Sequence, residues 1–586
     1  MYNEWSLDVF YKGIEDPALQ VDMKKLEELI ASFKETVANL TMEDPRATLC
    51  RVIGMKEEMS TLVRRLGGYF SLRRSANSSD SEVSSYQTKL QALMAGTAKE
   101  NVMFEKYVGK IADLDKIIES DELLSQYKFY FGEVLESIKH SMSDEEEALF
   151  ARMNISGGQS WSNLVAHLTA TVEVEYNGGK TNLSAIRALA ESDDPAVRKA
   201  AYEAELASYD KIKDSIAYAL NSIKAQANLE AEMRGFENPL EMTLHQSRMQ
   251  KETLDAMLTA MREFLPKFQT YLKHKAKLLG HKNGLPWYDI LAAMGNADSK
   301  TYTVEEAHAY LVDHFNSFAP DLAEMVDTAF KEEWIDFYPR TGKVGGAFCS
   351  NLPFLKQSRI LTNFCGMFGN VVTLAHELGH AYHGLQIQDH RPLNTGYTMP
   401  VAETASNFNE LIIVNDAIAK ATGEEKIQLI ESQIQDCTQI IVDILSRFLF
   451  EDEVIRRRNN TFLFAKDLEE IMLNAQKEAF GDALDPEYMH PWMWCCKSHY
   501  YRPGLSYYNF PYAFGGLFSR GLYAKYLEEG EAFLPKYRAL LKATTVDTVE
   551  HVAGIAGIDL TEPEFWRTSL QMIADKIDEF IAETSK

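Results

Sequence analysis

The 586-residue chain predicts a mainly α protein with one small β element. Apolar residues recur at helical spacing through long charged stretches, while strand-like alternation is confined to two short windows. The first helix is VDMKKLEELIASFKETVANL (21–40), with apolar side chains three and four residues apart. SLRRSANSSDSEVSSYQ (71–87) is serine-rich and reads as a mobile turn between helices. TVEVEYNGGKTNLS (171–184) alternates apolar and polar residues into Asn177-Gly178, a hairpin signal. SDDPAVRKAAYEAEL then opens a helix expected to run to about Gly235, with Asp194 as N-cap and Pro195 in its first turn. Helical patterns follow at 251–279, 304–331, 402–421, 424–458 and 563–583. WIDFYPRTGKVGGAFCSN (334–351), aromatic, β-branched and glycine-containing, reads as a short sheet. The organisation expected is an N-terminal helical region, residues 1–180, ending near the hairpin, and a larger unit, residues 181–586.

Composition narrows the function classes. With 46% hydrophobic and 25% charged residues the chain reads as a soluble globular protein. It has no apolar run of about 18 residues, and its start lacks the basic and apolar regions of a secretory signal. Six scattered cysteines (Cys50, Cys349, Cys365, Cys437, Cys495, Cys496) are neither a disulfide framework nor a paired metal spacing, so a cytoplasmic location is expected. A net charge of −26 argues against nucleic acid and anionic membranes as partners.

TLAHELGHAYHG (373–384) carries the chemistry. On a helix, Leu374, Leu378, Ala381 and Leu385 form one apolar stripe, and His376, His380 and His383 lie on the opposite side. The i, i+4 pair His376 and His380 can meet one zinc ion, with Glu377 beside them to take a proton from an attacking water. The HExxHxxGxxH pattern fails, because this chain has His383 and Gln386 where it needs glycine and histidine. His383 also lies about 7.5 Å along the axis from the midpoint of the pair, too far for a zinc–nitrogen bond, and is expected to be structural or to act behind the ligands. The alternative third ligand is a downstream carboxylate. Glu403 opens a helix after Pro400, and Asp389 and Glu410 remain rivals that spacing does not exclude.

From Gly342 onward the chain resembles the oligoendopeptidase F branch of the thimet oligopeptidase-like zinc metallopeptidases. The resemblance rests on GKVGGAFC (342–349), NFCGMFGNVVTLAHELGHAYH (363–383), ETASNFNE (403–410) and HYYRPGLSYYNFPYAFG (499–515), in that order. It implies a two-lobed helical zincin enclosing a deep channel, with a small β element beside the HExxH helix, and residues 181–586 as its peptidase domain. It implies His376, His380 and Glu403 as ligands of one zinc ion, Glu377 as general base, and His499, Tyr508 and Tyr512 as donors to the substrate carbonyl. Tyr501 or Tyr507 could replace one of those tyrosines. The activity implied is internal cleavage of short unstructured peptides. GGAF (345–348) is a candidate edge for binding peptide as an added strand.

A metallo-carboxypeptidase in a similar helical channel, or a non-catalytic peptide-binding relative, are the competing readings. The chain is compatible with a monomer or a dimer.

Overall fold

Asp–Pro and Asn–Pro pairs punctuate the chain. The side chains of Asp16, Asp44, Asp194 and Asn238 accept from the backbone N–H groups of Ala18, Ala47, Ala196 and Glu241 at 2.8–3.0 Å. Each following proline occupies the first turn of a helix, where its missing N–H has no intrahelical role. The result, in a computed structural model describing residues 4–295 and 300–585, is a mainly α fold.

Three expectations are corrected. The serine-rich stretch 71–87 is mostly helical: one helix runs Pro45–Ala76, the next starts at Ser81 under the Asp80 cap, and only residues 77–80 form the turn. The helix expected from Pro195 to about Gly235 is two helices, Pro195–Tyr209 and Lys213–Met233, broken in a stretch without glycine or proline. There Lys211 N and Ile212 N donate back to Ser208 and Tyr209. The 304–331 helix is likewise divided at Ala319, because Pro320 starts a new first turn (Val304–Phe318, Pro320–Lys331). The 424–458 pattern is continuous but contains a π-helical segment, Gln439–Asp443, between Gly423–Thr438 and Ile444–Arg458.

The hairpin pairs β1 (Glu173–Tyr176) with β2 (Gly179–Asn182) through Asn177 and Gly178, both at positive φ. The second sheet consists of β3 (Ile335–Asp336), β4 (Phe348–Leu352) and β5 (Gln357–Leu361) in the order β3-β5-β4. β5 runs parallel to β3 and antiparallel to β4, so β4 is an edge strand.

Apolar burial divides among three main cores. One collects residues between Trp5 and Val134, closed by Leu352 and Leu361 of the second sheet. The largest spans Leu244 to Phe580 and includes the HExxH helix. A third joins Val174 of the hairpin to Leu220, Phe450, Trp494 and Tyr501. Among the described residues no helix is long and apolar enough to cross a membrane.

Candidate metal centre

The HExxH helix spans Phe368–Ile387. Asn370 Oδ1 accepts from Cys365 N and Met367 N at 2.9 and 3.2 Å, closing its first turn. Leu374, Leu378 and Ala381 are buried on the core side, where truncating Leu374 or Leu378 to alanine would cost about 2–5 kcal/mol. Two neighbours set the height of the helix. Asn351 Nδ2 of β4 donates to His380 O at 3.1 Å, and Asn409 Nδ2 of the helix Thr404–Lys420 donates to Ala375 O at 3.2 Å. Gly379 lets the two helices touch: a β-carbon there would lie 2.5 Å from Ala405 O and from Ser406 Cα.

That close crossing brings Glu403 to the histidines. Glu403 sits at the N-cap of the Thr404–Lys420 helix, yet its side chain makes no cap bond. Its Oε2 instead accepts from Ser406 Oγ at 2.7 Å and stands 3.3 Å from His376 Nε2 and 3.4 Å from His380 Nε2. Donors around a tetrahedral metal ion at about 2.0–2.1 Å stand about 3.3–3.4 Å apart, which is the separation of each imidazole nitrogen from the Glu403 oxygen. The two imidazole rings lie edge to face with centroids 4.9 Å apart.

The electrostatics favour positive charge at this point. Burial disfavours a charged His376, but the Glu403 and Glu410 carboxylates override it and push its pKa up to about 10. Burial alone would raise the Glu403 carboxyl; the two imidazoles override that and hold it well below the usual carboxylate range. Glu377 is buried and its pKa is raised by that burial, with His376 and His380 opposing. Its Oε2 is a buried oxygen without a hydrogen-bond partner. His376, His380 and Glu403 therefore form a group that could hold a metal ion.

The other sequence candidates separate cleanly. Asp389 pairs with Lys356 on the surface at 2.7 Å. Glu410 Oε1 lies behind His376, 2.7 Å from Nδ1. His383 is fully buried, stacked on Tyr397 with ring centroids 4.3 Å apart, and its Nε2 lies 2.8 Å from Thr544 Oγ1. Because the Thr544 hydroxyl donates to Leu541 O, His383 Nε2 is the donor in that pair.

His499, Tyr508 and Tyr512 form one aromatic cluster, with centroids 4.6 Å (His499–Tyr508), 5.9 Å (His499–Tyr512) and 5.8 Å (Tyr508–Tyr512) apart. The Tyr501 hydroxyl instead donates to Trp494 O at 2.8 Å, and that of Tyr507 to Asp452 Oδ1 at 2.8 Å. Tyr507 holds φ +54, an unusual conformation for a tyrosine, and its N–H is secured by buried Glu451 at 3.0 Å. Tyr512 lies one turn before Gly515 on the helix Phe510–Glu529, and a β-carbon at 515 would meet Glu403 Cβ at 3.0 Å. Tyr512 thus shares a helix face with the contact to Glu403. Burial and the Tyr508 hydroxyl raise the Tyr512 pKa, keeping it a protonated donor, and Glu403 adds to that shift.

Sequence reasoning missed Glu410 as a partner of His376, Asn351 and Asn409 as braces of the helix, and Arg447 and Asn509 behind His499. The i+7 spacing of Glu403 and Glu410 was the one local signal for the first; Asn509 lies within the 499–515 segment itself, and the others arrive from distant segments.

The sequence profile described as Peptidase family M3 matches residues 188–572, and the one described as Oligopeptidase F matches residues 111–173. The chain is 24% identical over 587 residues to oligopeptidase PepF of Bacillus subtilis (98% of this chain, 86% of that one). It is 22% identical over 588 residues to group B oligopeptidase PepB of Streptococcus agalactiae (98% and 96%). Its fold is similar to that of the oligoendopeptidase-F crystal structure from Enterococcus faecium, with a TM-score of 0.72 at 18% identity over 97% of this chain and 99% of that one.

Proposed function

The chain belongs to peptidase family M3, a metallopeptidase family, and from that membership we propose that it is a zinc-dependent oligoendopeptidase. It cleaves internal bonds of short, unstructured peptides. The observation that carries this reading is the convergence of His376 Nε2, His380 Nε2 and Glu403 Oε2 beside the unpartnered, buried Glu377 carboxylate.

His376, His380 and Glu403 would hold one zinc ion. When bound, zinc supplies Lewis acidity toward a water and the scissile carbonyl. Glu377 takes the proton of the attacking water and returns it to the leaving amine, a transfer favoured by a carboxyl whose pKa burial raises. Tyr508 and Tyr512, with His499, donate hydrogen bonds where negative charge grows on the carbonyl oxygen. Glu410 would hold the His376 ring in one tautomer, Nδ1–H toward the carboxylate, leaving Nε2 as the metal-binding nitrogen. Edge strand β4 gives the peptide backbone a partner beside the HExxH helix. A cytoplasmic site of action accompanies this reading, supported by six cysteines that are all free thiols.

The test is mass spectrometry of an unstructured decapeptide incubated with zinc-loaded protein, chelator-treated protein and the Glu377→Gln variant. Internal fragments from the first alone are expected. Stepwise loss of terminal residues would point to an exopeptidase, and an intact peptide in all three would remove the hydrolase reading.

A further inference from the structure

A cavity of about 130 Å³ lies behind the His499 segment, about ten times the space one water requires. Arg187, Glu205, Asp443, His490 and Lys497 line it, with Trp287 as an apolar wall. Part of this charge is already matched. Glu205 Oε1 accepts from the Tyr209 hydroxyl at 2.8 Å and lies 3.7 Å from Arg187 Nη1 and 3.5 Å from His490 Nε2. Asp443 Oδ2 is taken by Arg447.

What is left over points to a ligand. Among the described residues Lys497 forms no ion pair, although burial lowers its pKa and the nearby Arg447 and Arg187 charges add to that against Asp443. A half-buried ammonium in that position is costly unless an anion joins it. His490 is 1% exposed and its Nδ1 has no hydrogen-bond partner; the free Oδ1 of Asp443, which is 3% exposed, is an acceptor and calls for a donor, not an anion.

The cavity also adjoins the chemistry. Lys497 stands two residues before His499. Arg447 reaches from Asp443 to Asn509 Oδ1 at 3.4 Å, and that oxygen lies 3.1 Å from His499 Nδ1. Gln439 lines the cavity, and the next residue, Ile440, packs against Gly516, beside the Gly515 contact to Glu403.

We propose that this cavity is a carboxylate subsite that takes the C-terminal carboxylate of the bound peptide, with Lys497 as its main partner and Arg187 as the second cation. The proposal rests on the peptide-hydrolase reading above. A terminal carboxylate is the one anion every free peptide carries whatever its sequence, so gripping it would register the chain from its C-terminal end and favour short substrates.

The experiment uses the zinc-loaded full chain with Glu377→Gln, so that peptides bind without being consumed. Calorimetry compares a decapeptide free acid, its C-terminal amide, and the amide carrying one added glutamate. The free acid is expected to bind about 10- to 100-fold more tightly than the amide, the range of a charge-assisted hydrogen bond. Adding Lys497→Met should close most of that gap, and Lys497→Arg should keep most of it. Equal affinity for acid and amide overturns the proposal without requiring any change at Lys497, as does a gap that survives Lys497→Met. Recovery of tight binding by the glutamate-bearing amide would reassign the cavity to acidic side chains and overturn the terminal assignment. Binding of none of the three peptides would strike the hydrolase reading itself and this one with it.

Discussion

Glu410 Oε1 lies 2.7 Å from Nδ1 of His376, on the ring nitrogen that does not face Glu403. A carboxylate in that position fixes both the tautomer and the ring orientation, and such partners typically contribute 10–100-fold to metal affinity. Glu410→Ala should therefore weaken zinc binding by about that factor, read by competition with a chromophoric chelator, with activity recovered at saturating zinc. Unchanged affinity would mean the contact is incidental.

Glu377→Gln keeps the shape of the side chain and removes its basicity. Turnover should fall by about 10²–10⁴-fold while the protein still binds one zinc ion per chain. Metal analysis alongside peptide hydrolysis separates a lost base from a lost metal.

Five tyrosines crowd the His499 segment, and their hydroxyl partners divide them. Tyr512→Phe should lower kcat by about 10²–10³-fold, because its hydroxyl belongs to the cluster with His499 and Tyr508. Tyr501→Phe should change kcat little, since its hydroxyl is held by Trp494 O. Steady-state kinetics on both variants tests the division, and equal losses would refute it.

Gly379 is the contact point of the two helices that bring the site together. A β-carbon there would collide with Ala405 O and Ser406 Cα, which are backbone atoms and cannot rotate away. Gly379→Ala should cost about 1–3 kcal/mol of stability by overpacking, measured by denaturant unfolding, and should weaken zinc binding as Glu403 is displaced.

His383 is buried and neutral, its pKa lowered from 6.5 to about 3 by burial and then by the His380 charge. The unfolded chain takes up a proton on this histidine below about pH 6.5 while the folded chain does not, so folding loses stability as the pH falls from 6.5 toward 3. In metal-free protein the acid slope of thermal stability should be shallower for His383→Gln than for the parent. Identical slopes would mean that His383 is protonated in the folded state.

Much of the helical plan was legible because its signals are local. Asp194-Pro195 marks a start that the fold uses, and Asn177-Gly178 marks a turn that it forms. The failures were local ambiguities. Serines at 71–87 suit a turn or exposed helical faces equally, and Asp80 resolved the choice by capping a helix. Nothing in ASYDKIKD announces the break at 210–212; buried Tyr209 and Ile212 flank it, packed in the third core.

By itself the sequence determined the helical class and the pair His376 and His380 with Glu377 beside them, because the spacing of residues along one helix is a property of that helix alone. Which carboxylate meets the pair was a matter for the tertiary structure. Asp389, Glu403 and Glu410 are all within reach along the chain, and only the crossing at Gly379 and Ala405 turns Glu403 toward the histidines, leaves Glu410 behind His376 and sends Asp389 to Lys356. The same holds for the tyrosines and for the Lys497 cavity, whose walls come from segments up to about three hundred residues apart. Helix periodicity carries no record of such meetings; packing between helices creates them.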